Sequence, residues 1–208
     1  MRSEFYVSAR RFRALMTALV AAGVMAVPVA AHAWDWYSGF GVGQAGHEAT
    51  GGDLAGPGFS GSVDGNDSGW KAFLGMVLWG KYVGAEFGYV DLGTASAKGT
   101  ISGSAVTAKT DAKAYTASAV GLIPLGDQLG LTIRLGVSNP RVDVTVTNAG
   151  VTTTSDSTDI KIFGGMGMQY DFSKHMGVRI EAERFNMGSL GSPYVNLVTA
   201  SFVYRFGK

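Results

Sequence analysis

Residues 194–206 read YVNLVTASFVYRF, and their alternation decides the fold. In an extended chain Val198, Ala200, Phe202, Tyr204 and Phe206 share one face, which the polar Asn196 opens. Thr199, Ser201 and Arg205 take the other face, with Val203 as an apolar exception. The period is two, and aromatic residues crowd the C-terminal end. A last strand that is apolar on one side and polar on the other fits a transmembrane barrel closing on itself.

Seven earlier segments carry the same signature. Residues 36–44 set Trp36, Ser38, Phe40 and Val42 against Tyr37 and three glycines. Residues 69–79 set Trp70, Ala72, Leu74, Met76 and Leu78 against Lys71, Phe73, Gly75 and Val77. Residues 82–92 set Val83, Ala85, Phe87 and Tyr89 against Gly84, Glu86 and Gly88, and the turn at 80–81 joins these two runs into a hairpin. Residues 128–138, 159–170 and 175–186 repeat the pattern, with Arg134, Lys161, Arg179, Glu181 and Glu183 on their polar faces. Residues 112–123 complete the set, but both of their faces are small or apolar, so their register stays open.

The connections give a second signal. Their lengths run long (45–68), short (80–81), long (93–111), short (124–127), long (139–158), short (171–174) and moderate (187–193). Transmembrane barrels have short periplasmic turns, longer external loops and an even strand number. The expected fold is all-β: an eight-stranded antiparallel transmembrane up-and-down β-barrel. The third long connection, RVDVTVT followed by NAG and VTTTSDS, reads as a polar hairpin that would carry its flanking strands past the membrane surface.

Charge decides which face meets lipid, because an unpaired charge is costly at bilayer depth. Lys71, Glu86, Arg134, Lys161, Arg179, Glu181 and Glu183 all fall on the glycine-rich faces, which must therefore point inward. A soluble lipocalin-type barrel would reverse this order. A narrow lumen filled by side chains predicts an internal network, with Glu86, Glu181 and Glu183 pairing with Arg134, Arg179 and Lys161.

Composition agrees. The 208 residues include no cysteine, 46% hydrophobic residues and only 16% charged ones, against about 25% charged in a typical soluble domain. Neither a disulfide framework nor a thiolate metal site is possible. At the N-terminus Arg2, Arg10, Arg11 and Arg13 precede an apolar run over 14–30, and Ala31-His32-Ala33 forms an A-x-A site. Residues 1–33 are expected to be a signal peptide cleaved after Ala33, with Ala31 and Ala33 as the recognised small residues, leaving 34–208 as the barrel domain. Cleavage removes four of 17 basic and one of 16 acidic residues, leaving a net charge of −2. That balance argues against nucleic acid as a partner.

The region from Trp36 onward resembles the N-terminal transmembrane domain of the OmpA family of Gram-negative outer-membrane proteins. WYSGFGVGQ is similar to the family's opening strand, and YVGAEFGYVDLG to its third, with the acid at Glu86. IRLG with Arg134 resembles its fifth strand, VRIE with Arg179 and Glu181 its seventh, and VYRFG its closing strand. The resemblance implies an outer-membrane location, a salt-bridged barrel interior, and contact with outer-membrane lipid and lipopolysaccharide. It also implies that Phe202, Tyr204 and Phe206 form a signal read by the outer-membrane assembly machinery. Two positions depart from the family: Ala117 and Ala119 stand in the region of its fourth-strand lysine, and Gln169 stands where it has an inward acid. The chain ends two residues beyond Phe206, so no cell-wall-binding domain is expected to follow.

Other candidate sites have plainer readings. His47 and His175 fall at opposite ends of the barrel, which disfavours a shared metal. Some small outer-membrane barrels modify lipid A with a wall His and Ser, but no acid–His–Ser spacing is present, so no enzyme activity is expected. Residues 64–69 (DGNDSG) match half of a calcium loop, but Gly75 stands where a bidentate Glu is required, and a turn explains them. No cofactor is expected. The function expected is a structural, envelope-integrity barrel with four surface loops and little or no pore activity. A small porin or ion channel, or a protein recognising ligands through its loops, is the alternative.

Overall fold

A computed structural model describes residues 36–79, 82–148, 151–188 and 193–206, with the side chains of Trp79 and residues 154–158 excepted. The expected signal peptide with Ala31 and Ala33, Trp34, the turn at 80–81, the tip at 149–150 and most of the 187–193 loop lie outside the described residues. Strands β1 (Trp36–His47), β3 (Asn66–Trp79), β4 (Val83–Ile101), β5 (Ser104–Pro124), β6 (Leu129–Asn148), β8 (Lys161–Asp171), β9 (Met176–Asn186) and β10 (Tyr194–Arg205) each pair antiparallel with both neighbours. β10 returns to β1 over eleven residue pairs, from Tyr37↔Arg205 to His47↔Val195. The eight-stranded sheet is closed, and its wall has no free strand edge.

The two faces follow the alternation. Phe40, Ile162, Leu135, Met166, Ile180 and Val198 point outward and are more than half exposed, whereas Lys71, Glu86, Arg134 and Glu181 point inward and are buried. An apolar exterior around a charged interior is the reverse of a water-soluble barrel, and lipid is the solvent that makes it favourable. Among the described residues no helix is long and apolar enough to span a bilayer, so strands make the crossing. Short turns follow β5 and β8, while the long connections lie at the other end, which places that end outside the cell.

The longer connections are more ordered than alternation suggested. The stretch 93–111, expected as a loop, continues both strands: β4 runs to Ile101, and a two-residue turn at Ser102–Gly103, both with positive φ, leads into β5. A bulge between Asp91 and Thr94, with Gly93 at φ 70°, shifts the alternation and turns Ala95 and Ala97 inward. β7 (Val151–Thr158) returns alongside the end of β6, which is the polar hairpin read from the sequence. Within 45–68, also expected as a loop, lie a short helix α1 (Gly51–Ala55) and β2 (Phe59–Asp64), which pairs with the tip of β4. Thr50 and Asp53 cap α1 reciprocally, and buried Leu54 packs on Ala95, Ala97 and Ala108.

β5 settles the register that sequence left open. Ser118 lies opposite Glu86, and Ala112, Ala114, Thr116 and Val120 are buried, so the even positions face inward. Ala117 and Ala119 therefore face outward and do not occupy an interior position. Tight packing leaves room only for glycine at some inward sites. A Cβ on Gly75 would collide with the Tyr37 ring, and one on Gly167 with the backbone oxygen of Ile180.

Candidate functional site

Six strands aim polar side chains at the middle of the lumen. Glu86 on β4 takes a hydrogen bond from the Tyr37 hydroxyl (2.8 Å) and one from Arg179 Nη1 (2.6 Å) on a single carboxylate oxygen. Its other oxygen accepts from Arg134 Nη2. Lys71 on β3 donates to Glu181 and Glu183 on β9, both at 2.6 Å. Arg134 Nη2 and Nη1 also stand 3.2 and 3.3 Å from Glu181 and Glu183. Arg179 Nε donates to Gln169 on β8, which in turn donates to Asp171, and Asp171 pairs with Arg205 at 2.8 Å. Three carboxylates thus meet three cations, all of their side chains 4% exposed or less. The Phe73 ring sits among the cations, with Lys71, Arg134 and Arg179 5.2–5.7 Å from its centroid.

This corrects one expected member. Lys161, placed in the network from the sequence, pairs instead with Asp159 at 3.5 Å and is 28% exposed. Its parity is inward, but it opens β8 at the outer end, level with Ser138, far along the strand from Glu183 opposite Gly165. Lys71 supplies the third cation by extending across the lumen. Gln169, standing where an acid was expected by resemblance, positions Arg179 as a neutral acceptor. Tyr37 and Phe73 had no marker beyond inward parity.

On the outer side of the charges lies an apolar plug. Phe163 and Phe185 stack at 4.9 Å, 4° from parallel, and Val90, Leu92, Val142, Val195 and Leu197 pack around them. On the periplasmic side a half-open cavity of about 770 Å³ ends at Tyr37, Thr132, Gln169 and Arg179. The lumen is therefore a vestibule, then an ion-paired layer, then an apolar layer.

The rim is tied by polar contacts. Glu48 receives Asn196 Nδ2 at 2.7 Å and a two-pronged bond from Arg184, and these donors hold its carboxyl below the usual range. The backbone amides of Thr94 and Ser68 do the same for Asp67. In the DGNDSG stretch, then, Asp67 anchors the loop to the β4 bulge, and Asp64 accepts from the Asn66 amide. His47 directs Nε2 to the Leu92 carbonyl oxygen at 2.9 Å. His175 lies at the opposite end, in the turn between β8 and β9.

The closing strand presents Phe202, Tyr204 and Phe206 outward, each exposed, with the last two rings edge-to-face at 5.1 Å. Beyond the last β10 residue, the Phe206 amide still donates to the Trp36 carbonyl, so the seam with β1 extends to the end of the described chain.

Comparison with known proteins agrees with this geometry. Ail, the attachment invasion locus protein of Yersinia pestis, superposes with a TM-score of 0.51 at 13% identity, covering 83% of this chain and 97% of that one. OprG from Pseudomonas aeruginosa gives 0.51 at 14% identity, covering 83% and 96%. Neisserial surface protein A gives 0.50 at 13%, covering 84% and 100%. At such identities these likenesses speak to fold alone. No curated protein matches the chain by sequence. The family model described as "Outer membrane protein beta-barrel domain" matches residues 17–206. With a closed barrel, a lipid-facing apolar wall and that match over nearly its whole length, the chain belongs to the outer membrane protein β-barrel domain family and resides in the outer membrane.

Proposed function

We propose that the protein is a structural barrel that supports envelope integrity, has little or no pore activity and holds its outer loops at the cell surface. The stacked closure of the lumen carries this reading. An ion-paired layer held by Glu86 and an apolar layer around Phe163 and Phe185 stand in series beyond the vestibule, and both oppose the passage of hydrated ions. The reading includes no catalytic step and no cofactor. Its lipid partners are those of the outer membrane, lipopolysaccharide included, which meet the apolar wall.

Recognition through the loops is the second reading, favoured by the sheet that β4, β5, β6 and β7 carry beyond the barrel. The two separate in cells lacking the protein. Increased sensitivity to detergent, restored equally by the wild type and by a variant with the β4–β5 tip shortened, supports the structural role. Unchanged sensitivity would sink it, and rescue that depends on the tip would favour recognition.

We also propose that the assembly machinery reads Phe202, Tyr204 and Phe206 on the closing strand. The combined substitutions Tyr204→Ala and Phe206→Ala should lower the amount of folded protein in the outer membrane more than shortening the β4–β5 tip does. Heat-modifiable migration of outer-membrane fractions measures this, and equal folded levels would contradict it.

A further inference from the structure

The outer wall carries an arrangement of charge that the protein itself balances only in part. Lys113 on β5 and Arg141 on β6 lie directly opposite each other and both are exposed. Like charges facing across a strand pair destabilise it. Relief from within is slight: Asp91 stands 4.0 Å from Lys113, and Arg141 has no ion-pair or hydrogen-bond partner among the described residues. One step further out, Asp111 and Asp143 also face each other, so on β5 and β6 a like-charged pair of each sign lies one above the other, with Asp91 on β4 beside the cationic pair.

The height of the cationic pair is defined by aromatic rings. Phe40, Trp70, Tyr89 and Tyr115 form a chain around the outer wall, with successive centroids 5.9, 5.3 and 5.3 Å apart. Such a band marks the boundary between hydrocarbon and headgroups. Lys113 is two residues outward from Tyr115 on β5, a step of about 7 Å along a strand. That is the level of the lipid phosphates. The acidic row lies farther from the membrane and would repel an anion moving outward.

From this juxtaposition we infer that Lys113 and Arg141 form a lipid-phosphate site on the barrel wall, taking a phosphate of an outer-leaflet glycolipid from below the Asp111–Asp143 row. The inference rests on the outer-membrane residence established above and on the lipid contact proposed with it, not on the closure of the lumen. The guanidinium and ammonium groups would each donate to phosphate oxygens, and the bound anion would relieve the repulsion between them.

Native mass spectrometry of the full chain released from nanodiscs tests this. The discs contain phosphatidylcholine with either diphosphoryl lipid A or the same lipid stripped of both phosphates. The wild type should retain the phosphorylated lipid and not the stripped one. The double variant Lys113→Gln, Arg141→Gln should retain it about tenfold less, the scale of one charge-assisted hydrogen bond. Lys113→Arg with Arg141→Lys, and Lys98→Gln with Lys109→Gln higher on the same sheet, should behave as the wild type. Equal retention by the Gln pair, equal loss from the Lys98 and Lys109 variant, or equal retention of the stripped lipid would each overturn the assignment. Heat-modifiable migration identifies the folded fraction, to which retention is normalised.

Discussion

Glu86→Ala is expected to destabilise the barrel by about 3–5 kcal/mol, the cost of removing one partner from a buried ion pair. Glu86 accepts the Tyr37 hydroxyl and, among the described residues, is the carboxylate hydrogen-bonded to both Arg134 and Arg179. Without it, two guanidinium groups remain in a closed layer with only Glu181 and Glu183 to share, and Lys71 already engages both. The lumen is then left with an unbalanced positive charge that water reaches poorly. Urea unfolding in lipid or detergent, followed through the fluorescence of tryptophans in the wall, should show a clearly lower midpoint. Glu86→Gln should behave similarly, because it keeps the shape and loses the charge. Glu86→Ala combined with Arg179→Met should recover part of the loss, since the two residues share one interaction. An unchanged midpoint for Glu86→Ala would mean that the cluster is not the structural centre described here.

The second large effect separates two lysines. Lys71→Met should cost about 3–5 kcal/mol, because Glu181 and Glu183 would lose the cation that hydrogen-bonds both of them at a buried site and keep only arginines that Glu86 also engages. Lys161→Met should change stability by less than about 1 kcal/mol, the range of an exposed ion pair. The two substitutions are chemically identical, so side-chain volume and composition cancel in the comparison. The same unfolding assay decides it. Equal midpoints for the two variants would restore Lys161 to the network and contradict the assignment of Lys71.

That pair also marks the limit of what the sequence discloses. Parity along a strand says which face a residue takes, and on that question residues 194–206 and the other alternating runs were sufficient. Parity says nothing about height. Lys71 and Lys161 both read as inward, but the register between strands puts one beside Glu181 and the other at the rim. The reach of a lysine across the lumen, linking residues 110 positions apart, has no local signature. Residues 112–123 were ambiguous for a related reason: small side chains on both faces carry no contrast, and only the pairing of Ser118 with Glu86 sets the register.

The extensions beyond the membrane were obscured by composition. The stretch 93–111 is small and polar because it stands in water on one face and packs alanines against Leu54 on the other. That pattern reads as loop when hydrophobicity alone is weighed. Gly93 hides the continuity further, since the bulge it permits reverses the alternation between Asp91 and Thr94. The hairpin after residue 139 was legible because Val142, Val144 and Val146 keep period two along its first arm and the turn signal NAG at 148–150 separates it from a second arm rich in threonine.

Two layers, one ion-paired and one apolar, fill the lumen. Current through the folded wild-type protein in a planar lipid bilayer tests that most directly. The expected result is a silent or only sparsely conducting membrane under conditions in which the same sample shows heat-modifiable migration. Glu86→Ala measured alongside should conduct more than the wild type in whatever fraction still folds. A steady, frequently open channel from the folded wild type would contradict the closed lumen and favour the small-porin alternative.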